Sequence, residues 1–322
     1  MRKALCVGID NYSIIDDLEG CVHDANAVKA ALERNGDGTR NFDVKLMCAT
    51  SESTYITRGA LKDAVEDLFR SDVEIALFYF AGHGSLDACG GYLCTSENSR
   101  IDDGFSLNDL MQYVAKSPAH NKIIVLDSCH SGAVAGVPSM PTYSALGNGT
   151  TILAACGPRE GAAEYDGHGV FTALFTEALY GGAMTLLGDV TPGSIYAYID
   201  RSLCAWDQRP IFKANISSFV SLRKCAPLIS VGELHKLTEF FETPSYEYPL
   251  DPSYEPDKHE VEDKSVNKEH EEIFALLQKY VKLNLVVPYG EEHMYYAAIR
   301  SKACKLTVQG QHYWNLIDKG TI

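Results

Sequence analysis

Short apolar, β-branched runs alternate with helical stripes almost from residue 1, and nothing else in the sequence constrains the fold as tightly. "KALCVGI" (3–9) precedes a helical pattern over 22–34, and "DVKLMCA" (43–49) precedes one over 55–70. "VEIALFYFA" (73–81) is followed by the stripe "SLNDLMQYVAKS" (106–117) and then by "KIIVLDS" (122–128). Runs this short and this continuously apolar read as strands buried on both faces, and helices between them give the βαβ rhythm of a parallel sheet. The rhythm resumes with "TILAAC" (151–156), helices near 170–180 and 194–205, and a last strand "RPIFKA" (209–214). The expected fold is α/β, a mostly parallel six-stranded sheet covered on both faces. None of the runs approaches the 18 or so apolar residues of a membrane span.

The pattern ends near residue 225. Residues 243–268 hold four prolines and many acids without hydrophobic periodicity and read as an extended tether. A helical stripe follows at Ile273, Leu276, Leu277, Tyr280 and Val281, and "HMYYAAIRSKACKLTVQGQHYWNLIDKGTI" adds two helical stretches split at Val308-Gln309-Gly310. The expected division is a main domain over 1–225, an acidic, proline-containing linker over 226–268, and a small, mainly helical module over 269–322 for interaction or sensing. The end of that module resembles the last helix and wing of a winged helix. Over 273–322, however, six Lys and Arg stand against three Asp and Glu, and the whole chain carries a formal charge of −15. Both argue against nucleic acid as the partner.

Ten cysteines could suggest disulfides, but Cys6, Cys48, Cys156 and Cys204 sit singly in hydrophobic segments. That is the habit of reduced intracellular thiols. No C-x-x-C pair occurs, Cys89 and Cys94 being the closest spacing, so no zinc site is expected. The opening "MRKALCVGID" has no long apolar core or cleavage site of a signal peptide, and a cytoplasmic protein is expected.

In open α/β sheets, ligands bind beyond the carboxyl ends of the strands. Two strands here end in reactive side chains: "LFYFAGHG" delivers His83 and "IIVLDSCHSG" delivers Cys129. If the two are parallel neighbours, imidazole and thiol emerge at one edge. A thiol is mostly protonated at neutral pH, and a nearby imidazole raises the reactive thiolate fraction. Gly82 and Gly84 let the backbone approach a substrate closely and aim an N–H at a developing oxyanion.

The interval from His83 to Cys129 is near the roughly 50 residues that caspase-type proteases leave between histidine and cysteine. "DSCHSG", "FAGHGS" and "LEGCVHDA" (18–25) closely resemble the three signatures of metacaspases, caspase-like (clan CD) cysteine peptidases. The likeness suggests a prokaryotic type, runs from residue 1 to about 225, and includes "GHGVFTALFTEAL" and "QRP". It implies a caspase-like three-layer fold, Cys129 as nucleophile, His83 as general base, and the N–H groups of Gly84 and Cys129 as the oxyanion hole. It also implies an S1 pocket, the cleft for the P1 side chain before the cut bond, lined by Cys21, Asp24 and Asp127. Two carboxylates there would select Arg or Lys and repel Asp. The implied substrate is a protein or peptide with a basic P1, and an activating protein partner is expected at the C-terminal module. By analogy the setting is bacterial defence or regulated cell death. Two departures stand out. Ala81 occupies a position where the family often has Ser, and only Asp102 and Asp103 represent the aspartate cluster of calcium-dependent members, which argues against calcium as a cofactor.

Plainer explanations exist for each residue. Cys129 could be a buried thiol at a strand end, Asp127 a turn cap, and Asp24 an acid favoured near a helix N-terminus. His168 also lies in Gly-His-Gly but lacks a preceding apolar strand, His130 is adjacent to Cys129, where neighbouring side chains are expected to diverge and a turn or packing role is expected, and His23 lies on a first helical turn. Glu160 and Glu164 could border a substrate groove or simply be solvated. The alternative functions are a caspase-like scaffold that only binds protein partners, against which the intact His83 and Cys129 motifs argue, and a regulator using the C-terminal module.

Overall fold

A computed structural model describes residues 1–87, 90–97, 104–128, 136–137, 140–144, 146–155, 164–165, 168–203, 209–256 and 267–322. The chain divides into two compact units, Met1–Ala226 and Pro227–Ile322.

The first unit is built on six strands: β1 (Arg2–Ile9), β2 (Asp43–Ala49), β3 (Ile75–Ala81), β4 (Asn121–Asp127), β5 (Thr150–Ala154) and β6 (Ile211–Asn215). Their order is β6-β5-β4-β3-β1-β2, with β6 alone antiparallel. Strand β3, at the centre, is buried along its whole length, and its side chains alternate with the two-residue period of a pleated strand. Ala76, Phe78 and Phe80 join one core with α2 (Arg58–Arg70) and α3 (Leu107–Lys116). Ile75, Leu77, Tyr79 and Ala81 join the opposite core with α1 (Cys21–Glu33), α4 (Val170–Glu177) and α5 (Pro192–Ser202). This is the expected three-layer α/β arrangement. Truncating a ring such as Phe78, fully buried between sheet and helix, would cost about 3–5 kcal/mol.

Three helices of the first unit begin where the sequence supplies side-chain caps. Thr57 accepts from Ala60 N at the start of α2, Ser106 from Asn108 N at α3, and Thr191 forms a capping box ahead of Pro192 at α5. Beyond β3, the short strand Gly84–Leu86 pairs antiparallel with Gly91–Leu93, which pairs with Phe105–Ser106.

The second unit holds α6 (Val231–Phe240), β7 (Glu247–Pro249), α7 (Lys268–Lys282), β8 (Val286–Tyr289), α8 (Met294–Ile299), β9 (Ala303–Leu306) and α9 (Val308–Asp318). Helices are present where helical stretches were expected, but Val308-Gln309-Gly310, read as the split between two of them, opens α9. The break is made by β9 instead, and an antiparallel sheet of order β7-β9-β8 accompanies the helices. Residues 227–256 are thus folded into this unit, whereas the sequence suggested a linker from 226. Proline and acid are compatible with an edge strand of three residues whose Tyr248 packs on Phe240 and Phe241. Ser230 and Glu233 form a capping box at α6, and Lys279 from α7 pairs with Glu233 at 2.8 Å. Among the described residues no helix is long and apolar enough to cross a membrane.

Candidate active site

The parallel ladder of β3 with β4 runs out at the pair Ala81–Asp127, and Gly82 N donates to Asp127 O at 3.3 Å. His83 follows Ala81 by two residues, as Cys129 follows Asp127. Cys129 lies outside the described residues, as do His130, Asp102, Asp103, Glu160 and Cys89.

His83 is fixed from three sides. Its N–H donates to Tyr12 Oη at 2.8 Å, its ring tilts against the Tyr12 ring with centroids 4.9 Å apart, and its Nε2 lies 2.9 Å from Asp16 O. A carbonyl oxygen only accepts, so Nε2 carries the proton and Nδ1 presents the lone pair. That is the tautomer a general base needs. Tyr12 and Asp16 belong to the loop between β1 and α1, which Asp17 ties together by accepting from Tyr12 N at 2.8 Å and from Asn11 Nδ2 at 2.9 Å. Burial pushes the Tyr12 phenol well above its ordinary value, partly offset by the His83 N–H, so it stays protonated. Gly82 is required beside it, since its φ is +157° and an added Cβ would stand 2.7 Å from Tyr12 Oη.

Gly84 opens the short strand beyond His83. Cys94 N donates to His83 O, so the next pair, Gly84–Leu93, is a non-hydrogen-bonded one and the Gly84 N–H is turned away from that ladder.

The structure brings Asp24 and Asp127 together, although they come from α1 and β4. Both are buried, at 4% and 7% exposure, and both face the first turn of α4. Gly169 N donates to Asp24 Oδ2 at 3.1 Å, and Thr172 Oγ1 donates to Asp127 Oδ2 at 2.7 Å. A Cβ on Gly169 would collide with Asp127 Oδ2 and lie 3.2 Å from Asp24 Oδ2, so only glycine fits between the two carboxylates. The helix N-terminus offers its partial positive charge to both. Cys21, one turn before Asp24 on α1, is buried, and His23 is exposed.

Beneath Asp127, Tyr79 Oη lies 2.6 Å from Thr172 Oγ1. Burial, with Asp127 and Asp24 nearby, pushes the Tyr79 phenol far up. Sequence inspection missed Tyr12, Asp16, Tyr79, Gly169 and Thr172. His168 and Gly169 pair with Glu164 and Tyr165 in a two-residue ladder, and Gly169 stands beside the acid pair. Among the described residues no cluster of three metal-ligating side chains occurs.

Known proteins share this framework. Metacaspase-1 of Candida albicans is 30% identical over 167 residues, which cover 45% of this chain and 36% of that protein. Metacaspase-6 of Arabidopsis thaliana is 31% identical over 150 residues, 41% of this chain and 39% of that protein. The matched span is thus under two fifths of either relative's length. Among solved structures, Caspase-1 from Spodoptera frugiperda superposes with a TM-score of 0.50 at 14% identity, covering 70% of this chain and 90% of that one. A protein of Geobacter sulfurreducens gives 0.51 at 20% identity, covering 70% and 98%, and at such identities the likeness is one of fold. The family description "Caspase domain" matches residues 1–218, nearly the whole first unit and every residue of the site; the chain belongs to the caspase-domain family, and its curated relatives are metacaspases.

Proposed function

We propose that the chain is a cysteine endopeptidase cutting proteins after Arg or Lys by means of Cys129 and His83. One observation carries this: His83 stands beyond the last β3–β4 pair with Nε2–H on Asp16 O, leaving Nδ1 to take a proton from a thiol two residues beyond the same pair. The thiol proton passes to Nδ1, and the thiolate attacks the scissile carbonyl. The N–H groups of Gly84 and Cys129 receive the oxyanion, and the imidazolium returns its proton to the departing amine. Water, deprotonated by His83, then hydrolyses the thioester. Asp24 and Asp127, flanked by Cys21, receive the cationic P1 side chain, because a buried acid pair favours a guanidinium or ammonium and repels a carboxylate.

Protons, nucleophile and oxyanion donors all come from the chain, so the scheme itself uses no cofactor, and only Asp102 and Asp103 represent the aspartate cluster of calcium-dependent members. Turnover should be insensitive to a chelator. The second unit is assigned to binding an activating protein, and the setting to the cytoplasm, in defence or regulated cell death. The test is turnover of fluorogenic peptides with Arg, Lys or Asp at P1 by the wild type and by Cys129→Ala and His83→Ala. Rapid Arg-P1 cleavage lost in both variants supports the scheme, whereas a preference for Asp-P1, or activity retained in folded Cys129→Ala, overturns it.

A further inference from the structure

The geometry points to Thr172, backed by Tyr79, as a specificity-determining pair: a directed chain of two hydroxyls holds the Asp127 carboxylate in the orientation that receives a cationic P1 side chain. This rests on the peptidase function proposed above and adds two residues to it.

The direction of the chain follows from proton counting. A threonine hydroxyl has one proton, and the carboxylate Oδ2 at 2.7 Å can only accept it. The Tyr79 hydroxyl, 2.6 Å from Thr172 Oγ1, must then donate. Its far-raised pKa keeps that proton in place at any pH where a peptidase works. The order is Tyr79 O–H to Thr172 O–H to Asp127 Oδ2, each donor polarising the next.

Core packing does not call for these hydroxyls. Tyr79 is fully buried and Thr172 is 1% exposed, among Phe171, Phe175 and Leu77. Phenylalanine at 79 and valine at 172 would fill the same volumes without a polar group to desolvate. What the hydroxyls add is a fixed, charge-assisted contact to one carboxylate oxygen, and they add it next to a backbone donor serving Asp24. One turn of α4 therefore aims both acids, Gly169 through its N–H and Thr172 through its side chain. Neither hydroxyl touches the substrate, so these are positioning residues whose effect belongs in P1 recognition and not in acyl transfer.

The experiment compares wild type, Thr172→Val, Thr172→Ser and Tyr79→Phe as full chains. It measures kcat and KM on an Arg-P1 peptide and, separately, the alkylation rate of Cys129 by iodoacetamide, mapped by mass spectrometry. Loss of a charge-assisted hydrogen bond should raise KM about tenfold in Thr172→Val, with Tyr79→Phe intermediate and Thr172→Ser near wild type. Alkylation and kcat should stay within about threefold of wild type in all of them. Active wild type with unchanged KM in Thr172→Val, or a fall confined to kcat, overturns the assignment alone. If Thr172→Val does not fold, Tyr79→Phe and Thr172→Ser decide: equal KM values for both and wild type overturn it. A wild type that cleaves no Arg-P1 peptide overturns the peptidase function itself, and this assignment with it.

Discussion

Replacing Tyr12 by phenylalanine removes one atom from the site and isolates the positioning of His83. The ring contact at 4.9 Å remains, and the hydrogen bond from His83 N to Tyr12 Oη is lost. A donor stripped of its buried partner typically costs about 1–3 kcal/mol. His83 is only partly buried, and its ring stays anchored on Asp16 O, so the lower half of that range applies. At about 1.4 kcal/mol per tenfold, kcat on an Arg-P1 peptide should fall roughly five- to thirtyfold. KM and the order Arg, Lys, Asp at P1 should not change, because the hydrogen bonds that aim Asp24 and Asp127 come from Gly169 and Thr172, which the substitution leaves in place. A second substitution sharpens the test. Gly82→Ala puts a Cβ 2.7 Å from the Tyr12 hydroxyl, so its damage should be smaller in the Tyr12→Phe background than in wild type. Steady-state kinetics with circular dichroism as the folding control would measure all three variants. A folded Tyr12→Phe whose kcat lies within twofold of wild type would refute the view that this hydroxyl positions the imidazole.

Asp24→Ala should lower kcat/KM for Arg-P1 at least tenfold, a loss of about 2–5 kcal/mol being typical when one partner of a buried ionic contact is truncated, while Cys129 alkylation is unaffected. In the second unit, the Lys279 ammonium and the Ser230 cap hold the Glu233 carboxyl down at about 2. A depressed carboxylate stabilises above its unfolded value and loses that contribution as pH falls through its folded one, so Glu233 should add acid sensitivity between about pH 4.5 and 2 that Glu233→Ala lacks in pH-dependent thermal unfolding. Residues 130–150 contain neither Lys nor Arg, so incubated active enzyme should show no Cys129-dependent cut there by mass spectrometry; Lys258 and Lys264, which lie outside the described residues, are the expected trimming points.

The six-stranded sheet was legible because its strands announce themselves locally as short apolar runs, four of them ahead of a helical stripe. The ends of β3 and β4 could be read for the same reason, and the motifs after them single out His83 and Cys129. What could not be read are partners joined only by the crossovers. Tyr79 meets Thr172 across 93 residues, and His83 meets Tyr12 and Asp16 across 71 and 67. A tyrosine in an apolar strand and a threonine in an apolar helix look like core, and so they are, except that their hydroxyls converge. Strand β7 was hidden differently. Three residues in a stretch rich in proline and acid carry no period of their own, and only the pairing of Glu247–Pro249 with β9 makes them a strand.

The loop leaving β1 and the helix it feeds join two tasks that could have been separate. Asp16 supplies the carbonyl for the imidazole, and eight positions on, Asp24 belongs to the acid pair proposed to receive the P1 side chain. Each residue added or removed just ahead of α1 would turn the face of that helix by about 100° relative to the loop, swinging Asp24 off Gly169 while also dislodging the carbonyl. Rate and selectivity would change together. An engineer seeking a new P1 preference should therefore hold the length of this segment constant and vary only its side chains.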